Sequence, residues 1–430
     1  MKIYLKQHYH WIIAAVVLLT LAVYGGIINN LSSLHLIPVT EDLGISRGSF
    51  SLAFCIRSLV GFFSTLFSGV FLMKYGFRKL ASLAMAVAAG ALVLLGCSRN
   101  LWMLALASAL VGACEGFVTT AAASRMVNTW FHSHQGLILG LVTASTGLGG
   151  SLFSVALSGI IENFSWRHSY WTCAVVTGVT AVLIFLLSRN RPSDMGLRPL
   201  GEGGNHGKNP RKPSRDHWQG YEARQVTRKP TFYLMILVVF AAAIANYIAF
   251  PVVSPHLQDC GMSPSEAAFC QSVLLLALAG AKFLCGTLSD YIGARVTNLI
   301  CMGCTAAALV LLATVNGPVM AIIAMIVFSV ALVMTSITIP LLSSALFGYR
   351  CQGSVVGVSL AVVPAASVIT SPVVNMFYDR LGSYKPIFLF GAGMAVVTGI
   401  LMVVLFILAA RDRKRYEAAH QAMPKLEAIR

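Results

Sequence analysis

Three ionisable residues interrupt otherwise apolar runs: Arg57, Glu115 and Lys282. A charge at the centre of a lipid-embedded helix costs about 2.5–3.5 kcal/mol on insertion scales, so such residues are candidates for binding or proton relay. Arg57 heads a stripe of Arg57, Gly61, Ser64 and Ser68, and Glu115 belongs to Ser108, Gly112, Glu115 and Thr119. Both follow helical spacing, so each charge is expected on a small, polar face turned away from lipid. Lys282 follows Leu275 and Ala279 and leads to Gly286, a less polar face. A guanidinium fork and an ammonium point charge together suit an anion. Glu115 is a candidate to carry a proton with it. The structural alternative is a static ion pair between Arg57 and Glu115. Span placement separates the two by about 9 Å in depth, a gap that extended side chains or a water could bridge.

Holding such charges requires helices in lipid. Of the 430 residues, 57% are apolar and 11% charged, whereas soluble chains carry about 25% charged residues. That excludes a soluble enzyme and leaves a polytopic membrane protein. Twelve segments are long enough to cross, near 11–36, 48–73, 78–97, 101–124, 136–160, 168–188, 231–256, 265–288, 296–315, 318–346, 353–376 and 384–409. Lipid requires their backbone polar groups to be satisfied internally, so all are expected to be α-helices. The first is too long for a cleaved signal peptide and reads as a helix that stays.

The net charge of +16 follows topology. Of 31 Lys and Arg, 24 fall in segments that would share one side of the membrane, five fall in the alternate loops and two are Arg57 and Lys282. This positive-inside pattern puts both termini in the cytoplasm and removes the reason to expect nucleic acid. Residues 1–190 and 231–410 form the two expected six-helix bundles, joined by a Gly-, Pro- and Lys/Arg-rich linker over 191–230 and followed by a tail over 411–430.

The bundles repeat. Pro38-Val-Thr-Glu-Asp42-Leu-Gly44-Ile-Ser46 matches Pro255-His-Leu-Gln-Asp259-Cys-Gly261-Met-Ser263 at an offset of 217, which also relates Gly69, Gly76 and Arg78 to Gly286, Gly293 and Arg295, and Asn29 to Asn246. Six intervening spans make the repeats parallel, the plan of a rocking transporter with its site between the halves.

Gly286-Thr-Leu-Ser-Asp290-Tyr-Ile-Gly293-Ala-Arg295 resembles the cytoplasmic loop signature of the major facilitator superfamily, and Gly69-Val-Phe-Leu-Met73-Lys-Tyr-Gly76-Phe-Arg78 is similar to its first copy. Met73 departs from the family's Asp, which helps lock the cytoplasmic side of the outward-facing state. Lys282, four residues before Gly286, resembles the basic residue of monocarboxylate and oxalate–formate carriers. Gly112-Ala-Cys-Glu115-Gly-Phe, leading to Trp130-Phe131, resembles the fourth span of anion–cation symporters, where a Glu is linked to protons. Because the family's first and seventh spans line its cavity, the resemblance implies Tyr24, Asn29, Asn246 and Tyr247 as substrate hydrogen-bonders. Packing glue between helices is the competing role.

Pro251, Pro255, Pro340, Pro364 and Pro372 are expected to break or bend the seventh, tenth and eleventh spans. Cys301-x-x-Cys304 lacks a second pair, so no metal or other cofactor is expected. No phosphate loop or HExxH supports an ATP-driven pump or a protease. The expectation is a monomeric transporter of the plasma (cell inner) membrane, moving a small organic anion, a monocarboxylate for choice, with a proton. The alternatives are exchange without protons and a membrane sensor that does not transport.

Overall fold

A backbone that cannot reach water must close its hydrogen bonds on itself, and the described chain is helical almost throughout. The computed structural model describes residues 9–131, 135–200, 221–335, 338–348 and 351–427, so the central half of the linker, 201–220, lies outside the described residues. We number the spans α1 (Tyr9–Leu43), α2 (Arg47–Tyr75), α3 (Phe77–Gly96), α4 (Leu101–Trp130), α5 (Gln135–Asn163), α6 (Trp166–Leu187), α7 (Pro230–Asp259), α8 (Pro264–Ser289), α9 (Tyr291–Ala313), α10 (Pro318–Leu332), α11 (Gln352–Leu381) and α12 (Lys385–Glu427). All but α10 are long and apolar enough to cross a membrane. The segment expected over 318–346 divides into α10, a short turn over Val333–Thr335 and a second helix, Thr338–Phe347. Large apolar side chains such as Phe67, Leu152, Phe283 and Phe390 stay exposed on the helix flanks, as a lipid solvent allows.

Local signals explain the starts. Ser46, Asn100, Ser165 and Ser263 each accept a backbone N–H in the first turn of α2, α4, α6 and α8, supplying one of the donors' missing partners. The repeat is conformational as well as sequential. Gly76 and Gly293 turn their chains at φ +80 and +83, a left-handed region open to glycine at no steric cost.

Breaks only partly follow proline. The Phe250–Val252 turn interrupts α7 at Pro251, but α11 runs on through Pro364 and Pro372; the side chain of Pro340 lies outside the described residues. The longest departure lies in α1, where Ala22–Asn29 is π-helical without any proline. Here Gly26 lies so close to α5 that an added Cβ would stand 2.7 Å from the Gly150 nitrogen.

The first six helices meet the last six along two seams, α2 with α11 and α5 with α8, which the 217-residue offset interchanges. On α2–α11, Cys55 Sγ donates to the Val368 carbonyl at 2.8 Å and Ser367 Oγ lies 3.4 Å from Ser58 Oγ. On α5–α8, Ser151 and Ser272 hydroxyls meet at 2.8 Å, Ser154 Oγ donates to the Ala268 carbonyl at 2.7 Å and Ser265 Oγ donates to Glu162 at 2.7 Å. Among the described residues, these four helices share no hydrogen bond beyond Ser58, Thr146, Lys282 and Ser367. The halves are therefore closed on the side of Ser46 and Ser263 and apart on the side of Gly76 and Gly293.

A latch secures the closed side. Arg47 donates to both Asp259 carboxylate oxygens, at 2.7 and 2.9 Å, and to the Tyr384 hydroxyl at 3.3 Å. Its guanidinium lies 3.9 Å from the Tyr378 ring centroid. The backbone N–H groups of Arg47 and Gly48 donate to the Asp379 carboxylate at 3.1 and 2.8 Å. Asp42, the repeat mate of Asp259, instead pairs within its own half, with Arg167 at 2.8 Å. The offset puts Tyr384 where Arg167 stands, so Asp259 takes its cation from the other half.

Charge-assisted hydrogen bonds contribute about 1.5–3 kcal/mol, and 1.4 kcal/mol is a factor of ten in population. Arg47→Gln is therefore expected to raise roughly ten-fold the rate at which an impermeant maleimide reaches Cys55, kept as the single cysteine, from the latch side of sealed vesicles. An unchanged rate would show that the latch does not hold this side shut.

Candidate functional site

Two adjoining cavities lie where the seams end. The larger, about 250 Å³, is faced by Asn29, Arg57 and Glu115 from the first six helices and by Tyr247, Phe250 and Ser367 from the last six. The second, about 180 Å³, is faced by Thr146, Asn246 and Lys282. Asn30, Tyr247 and Phe250 face both and partition them.

Small residues bring the acid and the guanidinium to one place. The stripes on α2 and α4 pack face to face: a Cβ on Gly112 would collide with the Arg57 carbonyl, one on Gly61 with the Glu115 carboxylate and one on Gly116 with the Ser64 carbonyl. Ser64 Oγ fixes this register, donating to the Ala113 carbonyl at 2.6 Å and accepting from the Gly116 N–H at 3.1 Å. Arg57 thus lies beside Gly112, three residues before Glu115. That is about 4.5 Å of helix rise, half the separation inferred from span midpoints. The error came from the midpoints, because apolar length does not fix how two helices slide past each other.

Even so, no ion pair within 4.0 Å joins Arg57 to Glu115. Arg57 Nη1 donates to the Ile28 carbonyl in the π-helical stretch at 3.1 Å, and the residue is 9% exposed. Both charges face the larger cavity, where an anion could approach one and a proton the other.

Lys282 comes from the opposite half. Its Nζ donates to Thr146 Oγ1 across the α5–α8 seam at 3.4 Å. Next to that residue, Gly147 admits α8 so closely that an added Cβ would stand 2.5 Å from the Leu275 carbonyl. The remaining predicted residues divide. Asn29 faces the larger cavity, Asn246 the smaller and Tyr247 both. The Oδ1 atoms of Asn29 and Asn246 are buried without a hydrogen-bond partner, so both amides retain acceptor capacity. Tyr24 is fully buried and gives its hydroxyl to the Val111 carbonyl at 2.6 Å, away from both cavities.

The loop motif lies on the open side. Gly76 turns against the Asn190 side chain, which accepts from the Arg78 N–H at 2.9 Å, and Arg78 Nε donates to the Phe185 carbonyl at 2.7 Å. An added Cβ on Gly69 would meet nothing within 4 Å in this conformation. Gly293 makes the equivalent turn and Arg295 is exposed. Gly286 and Asp290 have helical backbone, and the side chain of Asp290 lies outside the described residues.

Sequence reading missed Asn30, Phe250 and the Ser367–Ser371 stripe, all facing the larger cavity. The serine stripe was detectable from its i, i+4 spacing. Phe250 was not, because an aromatic beside a proline in an apolar span carries no sign of facing a cavity. No group of three or more metal-ligating side chains occurs among the described residues.

A family model described as the Major Facilitator Superfamily matches residues 16–362 and 235–428. The chain is 22% identical over 283 residues to the oxalate:formate antiporter of Oxalobacter formigenes, covering 66% of this chain and 64% of that protein, just under two thirds of its length. It is 23% identical over 373 residues to the agnestins efflux protein AgnL12 of Paecilomyces divaricatus, 85% and 77% of the two chains. The hexuronate transporter of Bacillus subtilis (strain 168) is 27% identical over 157 residues, 36% and 35%. Among solved structures, the nucleoside transporter NupG matches with a TM-score of 0.72 at 12% identity, covering 93% of this chain and 99% of that one, a likeness of fold alone.

The glycine packing separates two substitutions. Gly116→Val forces a side chain into the α2 backbone and is expected to destabilise by at least about 1–3 kcal/mol, read as a lower melting temperature of the detergent-solubilised protein. Gly69→Ala, with open space around it, is expected to hold or raise that temperature, since Ala stabilises a helix interior by about 0.5–1 kcal/mol over Gly.

Proposed function

The chain belongs to the Major Facilitator Superfamily, and from that premise we propose that it carries a small organic anion across the membrane together with a proton, by alternating access. The observation that carries this reading is the convergence of Arg57, Glu115 and Lys282 on adjoining cavities where the seams end. Two cations from opposite halves attract one anion, and binding it draws the halves toward each other. Glu115 faces the same cavity as Arg57 without being neutralised by a direct pair, which leaves it available to a proton. Carrying a proton lowers the charge that must cross with the anion. Asn29, Asn246 and Tyr247 supply hydrogen bonds to the substrate. The residues of the two half-signatures, Gly69, Gly76, Arg78, Gly286, Asp290, Gly293 and Arg295, act on the cytoplasmic side when the halves rock.

The positive-inside distribution supports an inner-membrane protein with cytoplasmic termini, 1–190 and 231–410 as the moving bundles and 191–230 as the linker. On that orientation the latch faces outward and this conformation is open to the cytoplasm. Carboxylates, sulfonates and sugar acids all suit the site's chemistry, and the substrates for which two relatives are named, oxalate and formate in one and a hexuronate in the other, are organic anions. The antiporter's name also favours a second reading, anion exchange without a proton step.

The test is protein-dependent acidification of proteoliposomes carrying an internal pH dye. Formate, oxalate, methanesulfonate and galacturonate are offered in turn, with uncoupler and empty-vesicle controls. Acidification with one class identifies substrate and symport together. Counterflow that ignores pH supports exchange, and no flux with any anion defeats both. Lys282→Gln is expected to abolish transport with the melting temperature unchanged. Glu115→Gln is expected to keep anion counterflow while losing acidification.

A further inference from the structure

Arg57 faces a second cavity, enclosed within the first six helices and distinct from the two between the halves. It measures about 20 Å³, and about 10–15 Å³ suffices for one water. Most of its wall is apolar, from residues such as Ile28, Leu92 and Val111. Ser32, His35, Arg57, Ser108 and Tyr170 are the polar residues that line it, together with the thiol of Cys173, and the Ser32 hydroxyl is already given to the Asn29 carbonyl.

Three of these residues carry a buried atom without a hydrogen-bond partner: the Ser108 and Tyr170 hydroxyls and His35 Nδ1. Ser108 is 0% and Tyr170 4% exposed, and neither hydroxyl has a hydrogen-bond partner. Nor can His35 serve them through Nε2, which lies 3.0 Å from Ser169 Oγ, while its ring stacks on Tyr170 at 4.1 Å between centroids. A buried hydroxyl left unsatisfied costs about 1–3 kcal/mol. Two of them on one cavity of single-water size, beside a guanidinium with N–H groups to spare, have one simple resolution.

We propose that this cavity is a water-binding site whose occupant positions Arg57. The water accepts from the guanidinium and from the Tyr170 hydroxyl and donates to Ser108 Oγ. With the Ile28 carbonyl it engages the rear of the guanidinium, leaving the remaining N–H groups directed at the larger cavity. Ser108 and Tyr170 are positioning residues that act through the water and do not touch the transported species. The effect on substrate rests on the anion reading above; the water site does not.

Radiolytic hydroxyl labelling with mass spectrometry tests the site directly, because bound water oxidises its neighbours however deeply they are buried. In the full-length wild-type protein, Tyr170 is expected to be oxidised well above Tyr24, which is also fully buried but whose hydroxyl is already bonded to Val111. Ser108→Val should bring Tyr170 down to the level of Tyr24, and Ser108→Thr, which restores the hydroxyl, should not. Should Ser108→Val fail to fold, Tyr170→Phe with oxidation read at Cys173, which also lines the cavity, makes the same test. Labelling of wild-type Tyr170 no higher than Tyr24 overturns the site. The positioning role is read in counterflow of whichever of formate, oxalate, methanesulfonate or galacturonate the protein moves. Ser108→Val should raise the half-saturation concentration several-fold with the maximal rate kept, and an unchanged half-saturation overturns the role. The labelling needs no flux, so it stands or falls apart from the transport reading.

Discussion

Four helices, α2, α5, α8 and α11, hold the two halves of this protein together along only half their length, and the remaining features depend on that. Hydroxyls, a thiol and carbonyls knit the seams on one side, and beyond Ser58 and Lys282 the same helices separate. Charge cannot face hydrocarbon cheaply, so Arg57, Glu115 and Lys282 need a region that is neither lipid nor fully packed core. The end of the seam is such a region: protein-walled, polar and open to one side. A seam running the whole length would bury these charges without access, and no seam would leave them without a partner half.

Close packing, more than hydrophobicity, sets the geometry at that point. Lipid tails are as apolar as the helices, so helices associate in a bilayer through van der Waals fit and hydrogen bonds. Gly61, Gly112 and Gly116 let α2 and α4 touch backbone to backbone, and Gly26, Gly149 and Gly150 do the same for α1 and α5. The π-helical stretch of α1 lies at that second contact and directs the Ile28 carbonyl to Arg57. One carbonyl and one close helix pair thus decide that the guanidinium turns toward a cavity and not onto Glu115.

The latch shows how a duplicated scaffold acquires a moving part. In the first half Asp42 and Arg167 form an exposed pair within one bundle. In the second half a tyrosine replaces the arginine, and Asp259 takes Arg47 from across the seam. Partly exposed pairs of this kind are individually modest, which suits a contact that must break in each cycle, since a much stronger one would trap a single conformation.

Sequence alone determined the fold class, the span order, the parallel repeat and the three intramembrane charges, because lipid imposes long apolar runs and makes every buried charge conspicuous. It also established that Arg57 and Glu115 sit on small, polar helix faces, since 3.6-residue spacing is a local property. Only the tertiary structure decided which faces meet. It placed Arg57 beside Gly112, sent Tyr24 to Val111, brought Phe250 to the cavity and left open space where a Gly69 side chain would stand. Those outcomes depend on how helices slide and rotate against one another, and apolar length and spacing leave both free. Arg47 and Asp259 lie 212 residues apart, and nothing local to either marks them as partners; only the halves closing on one side brings them together.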